Sequence, residues 1–251
     1  MRALITGASS GIGRDMARYL ASLGWDLVVV ARRTERLISL KEELKDTDVM
    51  CITADLSKKE DCYRVYEEAK GVEIDMLINN AGFGLAGEFV DTDLDTELKM
   101  IDTNITALHI LTKLFLNDFV KRDSGIILNV ASSASFMAGP LLNTYYATKN
   151  YVYRLSQAIY QELKEKKSKV KVSILCPGPI QTEFLDVADV GFVIKGLKSE
   201  DVAKLAVDKA LKGKLIIIPG FMMKAGKFLL RLTPEKLMLW VSYRIQHKKK
   251  K

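Results

Sequence analysis

From its first residues the chain alternates short apolar runs with amphipathic stretches of helical length, and few folds accept that pattern. The runs cover residues 3–6, 27–31, 49–53, 76–78, 126–130, 170–175 and 215–218. They are rich in β-branched residues and leucine and are apolar on both faces, as strands covered by helices on two sides are. Between them lie helical stretches such as 14–23, 35–44, 60–70, 94–119 and 150–167. Strand–helix alternation predicts an α/β doubly wound sandwich: a single, mostly parallel sheet of about seven strands with helices on both faces. At 251 residues, 48% of them hydrophobic, such a chain builds its core without disulfides or a structural metal. Cys51, Cys62 and Cys176 show no paired spacing, which argues against a disulfide framework and points to a reducing, cytoplasmic compartment. With only His109 and His247, metal sites and histidine-centred nucleophiles are poorly supported. Residues 1–6 run into glycine too soon for a signal peptide, and no apolar run approaches the ~18 residues of a membrane span.

The net charge of +7 is unevenly placed. Residues 221–251 hold seven lysines and two arginines against one acid, Glu235, whereas residues 1–220 hold 29 basic and 30 acidic groups. A nearly neutral body offers no basic face for nucleic acid. The tail reads as two short amphipathic helices, 221–232 and 234–245, with Thr233-Pro234 as N-cap and first-turn pair. Its mixture of basic and apolar residues suits peripheral contact with an anionic membrane at the inner surface, a partner-binding helix, or a packed pair over a cleft or subunit contact.

Strand one leads directly into Thr6-Gly7-Ala8-Ser9-Ser10-Gly11-Ile12-Gly13. Glycines at these spacings permit a tight turn, close backbone approach to a pyrophosphate and close helix–strand packing, with helix amides aimed at the anion. Strand two ends in Arg32-Arg33 with no carboxylate beside them. An acid at this point would hold a ribose 2′-hydroxyl; two guanidiniums suit a 2′-phosphate, hence NADP(H). The other reading is a solvated pair of arginines offset by Glu35.

The remaining strands exit into small and polar residues: Asp55-Leu56, Asn79-Asn80-Ala81-Gly82, Ala131-Ser132-Ser133 and Cys176-Pro177-Gly178-Pro179-Ile180. Tyr-x3-Lys occurs at Tyr66/Lys70, Tyr145/Lys149 and Tyr160/Lys164, and only Tyr145 follows a strand-exit serine, Ser132, by 13 residues. The other two pairs lie in charged amphipathic stretches and read as solvated faces. Residues four apart share a helix face, so Lys149 reaches the neighbourhood of Tyr145. A fixed ammonium there is expected to lower the phenol pKa from about 10.

In this order, the glycine segment, Asn79–Gly82, Asn104, Ser132, Tyr145/Lys149 and Pro177-Gly178 resemble the short-chain dehydrogenases/reductases over residues 1 to about 220. The resemblance implies a Rossmann-like fold and a carbonyl/alcohol oxidoreductase with Tyr145 as proton donor or acceptor. It further implies that Lys149 tunes Tyr145 and holds the nicotinamide ribose, that Ser132 orients the carbonyl, and that Asn104 supports a water relay. Cofactor contacts are expected from Gly7, Ser9, Ser10, Gly11, Ile12, Gly13, Arg32 and Arg33. Others are expected from Asp55, Leu56, Asn80, Ala81, Gly82, Tyr145, Lys149, Pro177, Gly178, Ile180 and Thr182. Ser135 and Tyr146 depart from the family's usual residues and narrow the site. Residues 183–198 fall where such enzymes build a substrate lid; their hydrophobicity fits an apolar substrate and equally a docked loop. Residues 1–220 are the expected catalytic domain and 221–251 an extension without independent folding, in a homo-oligomer (dimer or tetramer). The alternatives are an NADP(H)-binding sensor without turnover and a membrane-associated interaction protein.

Overall fold

The computed structural model describes residues 1–180, 183, 196–230 and 232–247. The apolar runs form β1 (Arg2–Thr6), β2 (Asp26–Ala31), β3 (Val49–Thr53), β4 (Met76–Asn79), β5 (Ile126–Val130), β6 (Lys171–Leu175) and β7 (Ile216–Ile217). They pair in the order β3-β2-β1-β4-β5-β6-β7, parallel throughout. The helices are α1 (Gly11–Ser22), α2 (Thr34–Glu43), α3 (Lys59–Ala69), α4 (Leu94–Ile101), α5 (Leu108–Lys121), α6 (Asn143–Glu165), α7 (Ser199–Leu211), α8 (Phe221–Leu230) and α9 (Glu235–His247).

Strand side chains alternate between faces, and this divides the core in two. Ala3 and Ile5 of β1 with Leu27 and Val29 of β2 pack beneath Met16 and Leu20 of α1, Leu37 and Leu40 of α2 and Val207 of α7. Leu4 and Val28 face the other way, onto Val65 of α3 and Leu111, Phe115 and Phe119 of α5. Both faces of the sheet are therefore covered, which is why its strands lack a polar side.

Two helical boundaries differ from the sequence expectation. The stretch 94–119 is helical without a break but not α-helical throughout: a π-helical turn, Asp102–Ala107, lies between α4 and α5 and carries Asn104. No residue in Asp-Thr-Asn-Ile-Thr-Ala forbids α-helix, so the wider turn is set by Asn104's tertiary partners. Helix α6 begins at Asn143 rather than 150, because Leu142 and Tyr146 are buried with Ala134. Both Tyr145 and Lys149 consequently lie within its first turns.

The tail forms α8 and α9. The Thr233 hydroxyl does not cap α9; it donates back to Leu229 O (3.0 Å), so α9 starts at Glu235. The pair docks onto the body through Lys227 Nζ donating to Tyr153 OH (2.9 Å), Ser242 Oγ to Ala138 O (3.4 Å) and Gln246 Nε2 to Tyr146 OH (2.8 Å).

Candidate active site

The chain leaves β1 toward β2 on one side of the sheet and continues from β4 on the other. Such a reversal opens a crevice at the carboxyl ends of the strands. A cleft of about 630 Å3 occupies that crevice and extends to β6 and the two tail helices. Of the catalytic and cofactor-contact residues expected from the sequence, all but three line it. Gly13 and Asn104 stand behind its wall, and Thr182 lies outside the described residues, as does most of 183–198.

The β1–α1 turn shows why glycine stands at two of these positions. Gly7 has φ +67°, and a Cβ added there would sit 2.9 Å from Ala81 Cα. At Gly13 an added Cβ would fall 2.5 Å from the Gly7 carbonyl oxygen. Gly13 thus acts through packing, letting α1 close onto β1, rather than through a cleft contact. Asn80 turns its side chain the same way, donating to Thr6 O (3.0 Å) and Gly7 O (3.2 Å). Ser10, at the N-cap of α1, makes no side-chain cap; its hydroxyl accepts from Arg33 Nη2 at 3.0 Å, and Ser9 Oγ accepts from the same nitrogen at 3.2 Å. The first turn of α1 therefore presents its positive dipole end beside a guanidinium and two hydroxyls. A bare-backbone cradle next to such a group fits a dinucleotide's phosphates.

Arg33 is half-buried, whereas Arg32 is exposed at the cleft margin. The group that meets Arg33 is not Glu35. Arg33 Nη1 donates to Glu183 Oε2 at 3.0 Å and Arg36 Nη1 donates to Glu183 Oε1. Arg36 and then Arg33 hold the Glu183 carboxyl below its usual range. Arg36 was missed in the sequence; its position three residues beyond Arg33, in the first turn of α2, was the available signal. Asp55 stays local, its Oδ1 accepting from Ser57 N (3.1 Å) and Oγ (2.9 Å).

At the other end stand Ser132, Tyr145 and Lys149. Ser132 caps a short 3-10 turn, its Oγ accepting from Ala134 N at 3.1 Å. It also hydrogen-bonds Tyr145. Ser135, fully buried, accepts from Ser132 N (3.3 Å) and donates to Lys149 O (2.8 Å). Its hydroxyl straps the serine turn to α6 from behind the cleft wall; of the two departures expected to narrow the site, Tyr146 lines the cleft and Ser135 does not. Lys149 Nζ donates to Val130 O at 3.0 Å and lies 5.9 Å from the Tyr145 ring centroid. Gly82 makes room for it: an added Cβ would be 3.2 Å from Lys149 Nζ and 2.8 Å from Asn104 Oδ1. Asn104 Nδ2 donates to Phe83 O (2.9 Å) and Thr148 Oγ1 (3.1 Å), and its Oδ1 accepts from Phe83 N (3.0 Å). Its side chain thereby clasps the β4 exit to α6 from behind the cleft wall.

The electrostatics depart from the sequence expectation. Burial pushes the Tyr145 phenol up to about 12, against a smaller downward pull from the Ser132 hydrogen bond. Burial likewise brings the Lys149 ammonium down to about 8. An ammonium that is itself poorly solvated and directed at a carbonyl does not overcome the desolvation of its neighbour. The other two Tyr-x3-Lys pairs also differ from solvated faces: Tyr66 is buried and donates to Asp118 Oδ2 (2.7 Å), and half-buried Tyr160 packs against the core under α3 and α5. Outside the cleft, His109 Nδ1 pairs with Tyr151 OH at 2.7 Å on the surface.

Known proteins are similar to this chain in sequence and in fold. The short chain dehydrogenase family profile matches residues 1–189. The very-long-chain 3-oxoacyl-CoA reductase of Anas platyrhynchos is 35% identical over 198 residues, covering 76% of this chain and 63% of that protein. The 17-beta-hydroxysteroid dehydrogenase type 3 of Mus musculus is 32% identical over 186 residues, covering 72% of this chain and 60% of its own. The matches thus span about three fifths of the length of these two curated relatives. Among solved structures, a short-chain dehydrogenase from Sphingobium yanoikuyae in complex with NADPH superposes with a TM-score of 0.84, at 31% identity and 94% coverage of both chains.

Proposed function

Because this chain belongs to the short-chain dehydrogenase/reductase family, we propose that it is an NADPH-dependent oxidoreductase interconverting an apolar ketone and its secondary alcohol. One observation carries the reading: a single cleft has Arg33 with Ser9 and Ser10 at one end and Ser132, Tyr145 and Lys149 at the other. A non-catalytic sensor has no need of the second end.

When bound, the nicotinamide cofactor supplies or accepts the hydride. Ser132 holds the substrate oxygen within reach of Tyr145. Tyr145 delivers its proton to that oxygen in reduction and takes one in oxidation. Lys149, anchored on Val130 O, places positive charge near the phenol and would hold the nicotinamide ribose. Asn104 fixes Phe83 and Thr148 around them. Ser9, Ser10, Arg32 and Arg33 would hold the adenosine 2′-phosphate, with Arg36 beside Arg33 on Glu183. The NADPH in the Sphingobium yanoikuyae structure and the acyl-thioester and steroid names of the two relatives support this cofactor and an apolar carbonyl substrate. Further support comes from a cleft wall containing Phe136, Met137, Leu142, Met223 and Leu230.

The cofactor assignment is tested by titrating NADPH and NADH into the protein. Charge-assisted phosphate contacts contribute about 1.5–3 kcal/mol, so NADPH should bind more than about tenfold tighter, and Arg33→Ala should erase most of the gap. Glu183→Gln should widen it by a few-fold, since a half-exposed ion pair that competes for Arg33 contributes about 0–1 kcal/mol. Equal affinities in the unaltered protein would overturn the NADPH assignment.

A further inference from the structure

The tail helices present two unlike faces. Inward, Met223 and Leu230 of α8 and Ser242 and Gln246 of α9 close the cleft. Outward, Phe221 (83% exposed) and Phe228 (64%) share one stripe of α8, with Lys224 between them. Leu232 (72%) follows in the connection. On α9, Leu237, Trp240 and Arg244 form a second exposed stripe, and the Arg244 guanidinium lies 5.3 Å from the Trp240 ring centroid. Large apolar side chains left in water at this density mark an interaction surface.

Charge identifies the partner. The exposed apolar groups are interleaved with Lys224, Lys236 and Arg244, and residues 221–251 contain one acid. A two-fold contact with a second copy would set this basic face against itself. An anionic lipid surface accepts both components. Long basic side chains extend to headgroups while their stems and the aromatic rings enter the acyl boundary, and tryptophan and arginine suit that depth. We propose that the outer face of α8 and α9 docks the protein on an anionic lipid bilayer. The membrane then lies about 10 Å, one helix thickness, from the cleft wall.

The test is cosedimentation of the full chain with phosphatidylcholine vesicles and with phosphatidylcholine–phosphatidylglycerol vesicles, at low and high salt. It reads binding without turnover, so its outcome is independent of the catalytic assignment. Trp25 is buried and Trp240 exposed, the two tryptophans of the chain, so a blue shift of emission on binding reports Trp240 entering lipid. Binding should require phosphatidylglycerol and weaken with salt. It should fall on the order of 100-fold in the Lys224→Ala, Lys236→Ala, Arg244→Ala triple variant, at about fivefold per cation. The Leu237→Ser, Trp240→Ser variant should lose binding while keeping its melting temperature and NADPH affinity. Three results would overturn the proposal: no sedimentation with anionic vesicles, equal sedimentation with both vesicle types, or a dimer in solution that the Leu237→Ser, Trp240→Ser variant dissolves.

Discussion

Tyr145 and Lys149 lie four residues apart on α6, and burial moves both toward their neutral forms. A phenol held near about 12 keeps its proton throughout the neutral range, which suits it to give a proton to a carbonyl. The reverse reaction needs phenolate, so oxidation should gain rate as pH rises while reduction loses nothing to Tyr145 titration. Lys149 titrates first. Its ammonium is present below about 8 and lost as pH rises through that value, so NADPH should bind progressively more weakly above it. Fluorescence titration across pH 7 to about 9.5 checks this, with Lys149→Arg expected to flatten the dependence because guanidinium stays charged. A fully pH-independent affinity in the unaltered protein would remove Lys149 from cofactor binding. The position of this pair was readable from Tyr145, Lys149 and Ser132 alone, because the four-residue helical repeat and strand-exit serine are local signals. The direction of the Tyr145 shift was not, since burial is a property of the assembled cleft. Arg36 and Gln246 escaped for the same reason: their partners, Glu183 and Tyr146, lie 147 and 100 residues away.

Among elements, the β1–α1 junction is the least tolerant. Gly13→Ala would drive a methyl to 2.5 Å from the Gly7 carbonyl oxygen, and backbone cannot yield there as a flexible side chain does. Overpacking of this kind costs about 1–3 kcal/mol, so the variant should melt several degrees lower and lose cofactor affinity together. Thermal melting with and without NADPH separates the two effects; an unchanged melting temperature and affinity would show that α1 does not need its close seat on β1. Strand–helix alternation was legible because buried strands with two covered faces have no polar side to confuse their period. The π-helical turn at Asp102–Ala107 was not. Its sequence is compatible with α-helix, and the bonds from Asn104 to Phe83 and Thr148 exist only after the sheet has formed. The α8 and α9 helices were visible as periodic stretches, but which side chains turned inward depended on Tyr146 and Ala138, about 100 residues earlier.

On the scale of the whole molecule, the sheet reversal between β1 and β4 sets one continuous cleft across the carboxyl edge. A cationic, hydroxyl-rich end lies near β2, and an apolar end lies beneath α8 and α9. That polarity fits one elongated pair of ligands laid end to end, a phosphorylated dinucleotide and an apolar carbonyl compound. The acid–base group stands where they would meet. The measurement that tests this most directly is single-turnover oxidation of bound NADPH by a panel of apolar ketones, 3-oxoacyl thioesters and 17-oxosteroids, in the unaltered protein and in Tyr145→Phe. The unaltered protein should oxidise NADPH with at least one member. The variant should bind NADPH as tightly but react about 10²–10⁴-fold more slowly, the contribution of a positioned proton donor. An undiminished rate in Tyr145→Phe, or tight NADPH binding with no oxidation by any carbonyl in the panel, would contradict the account.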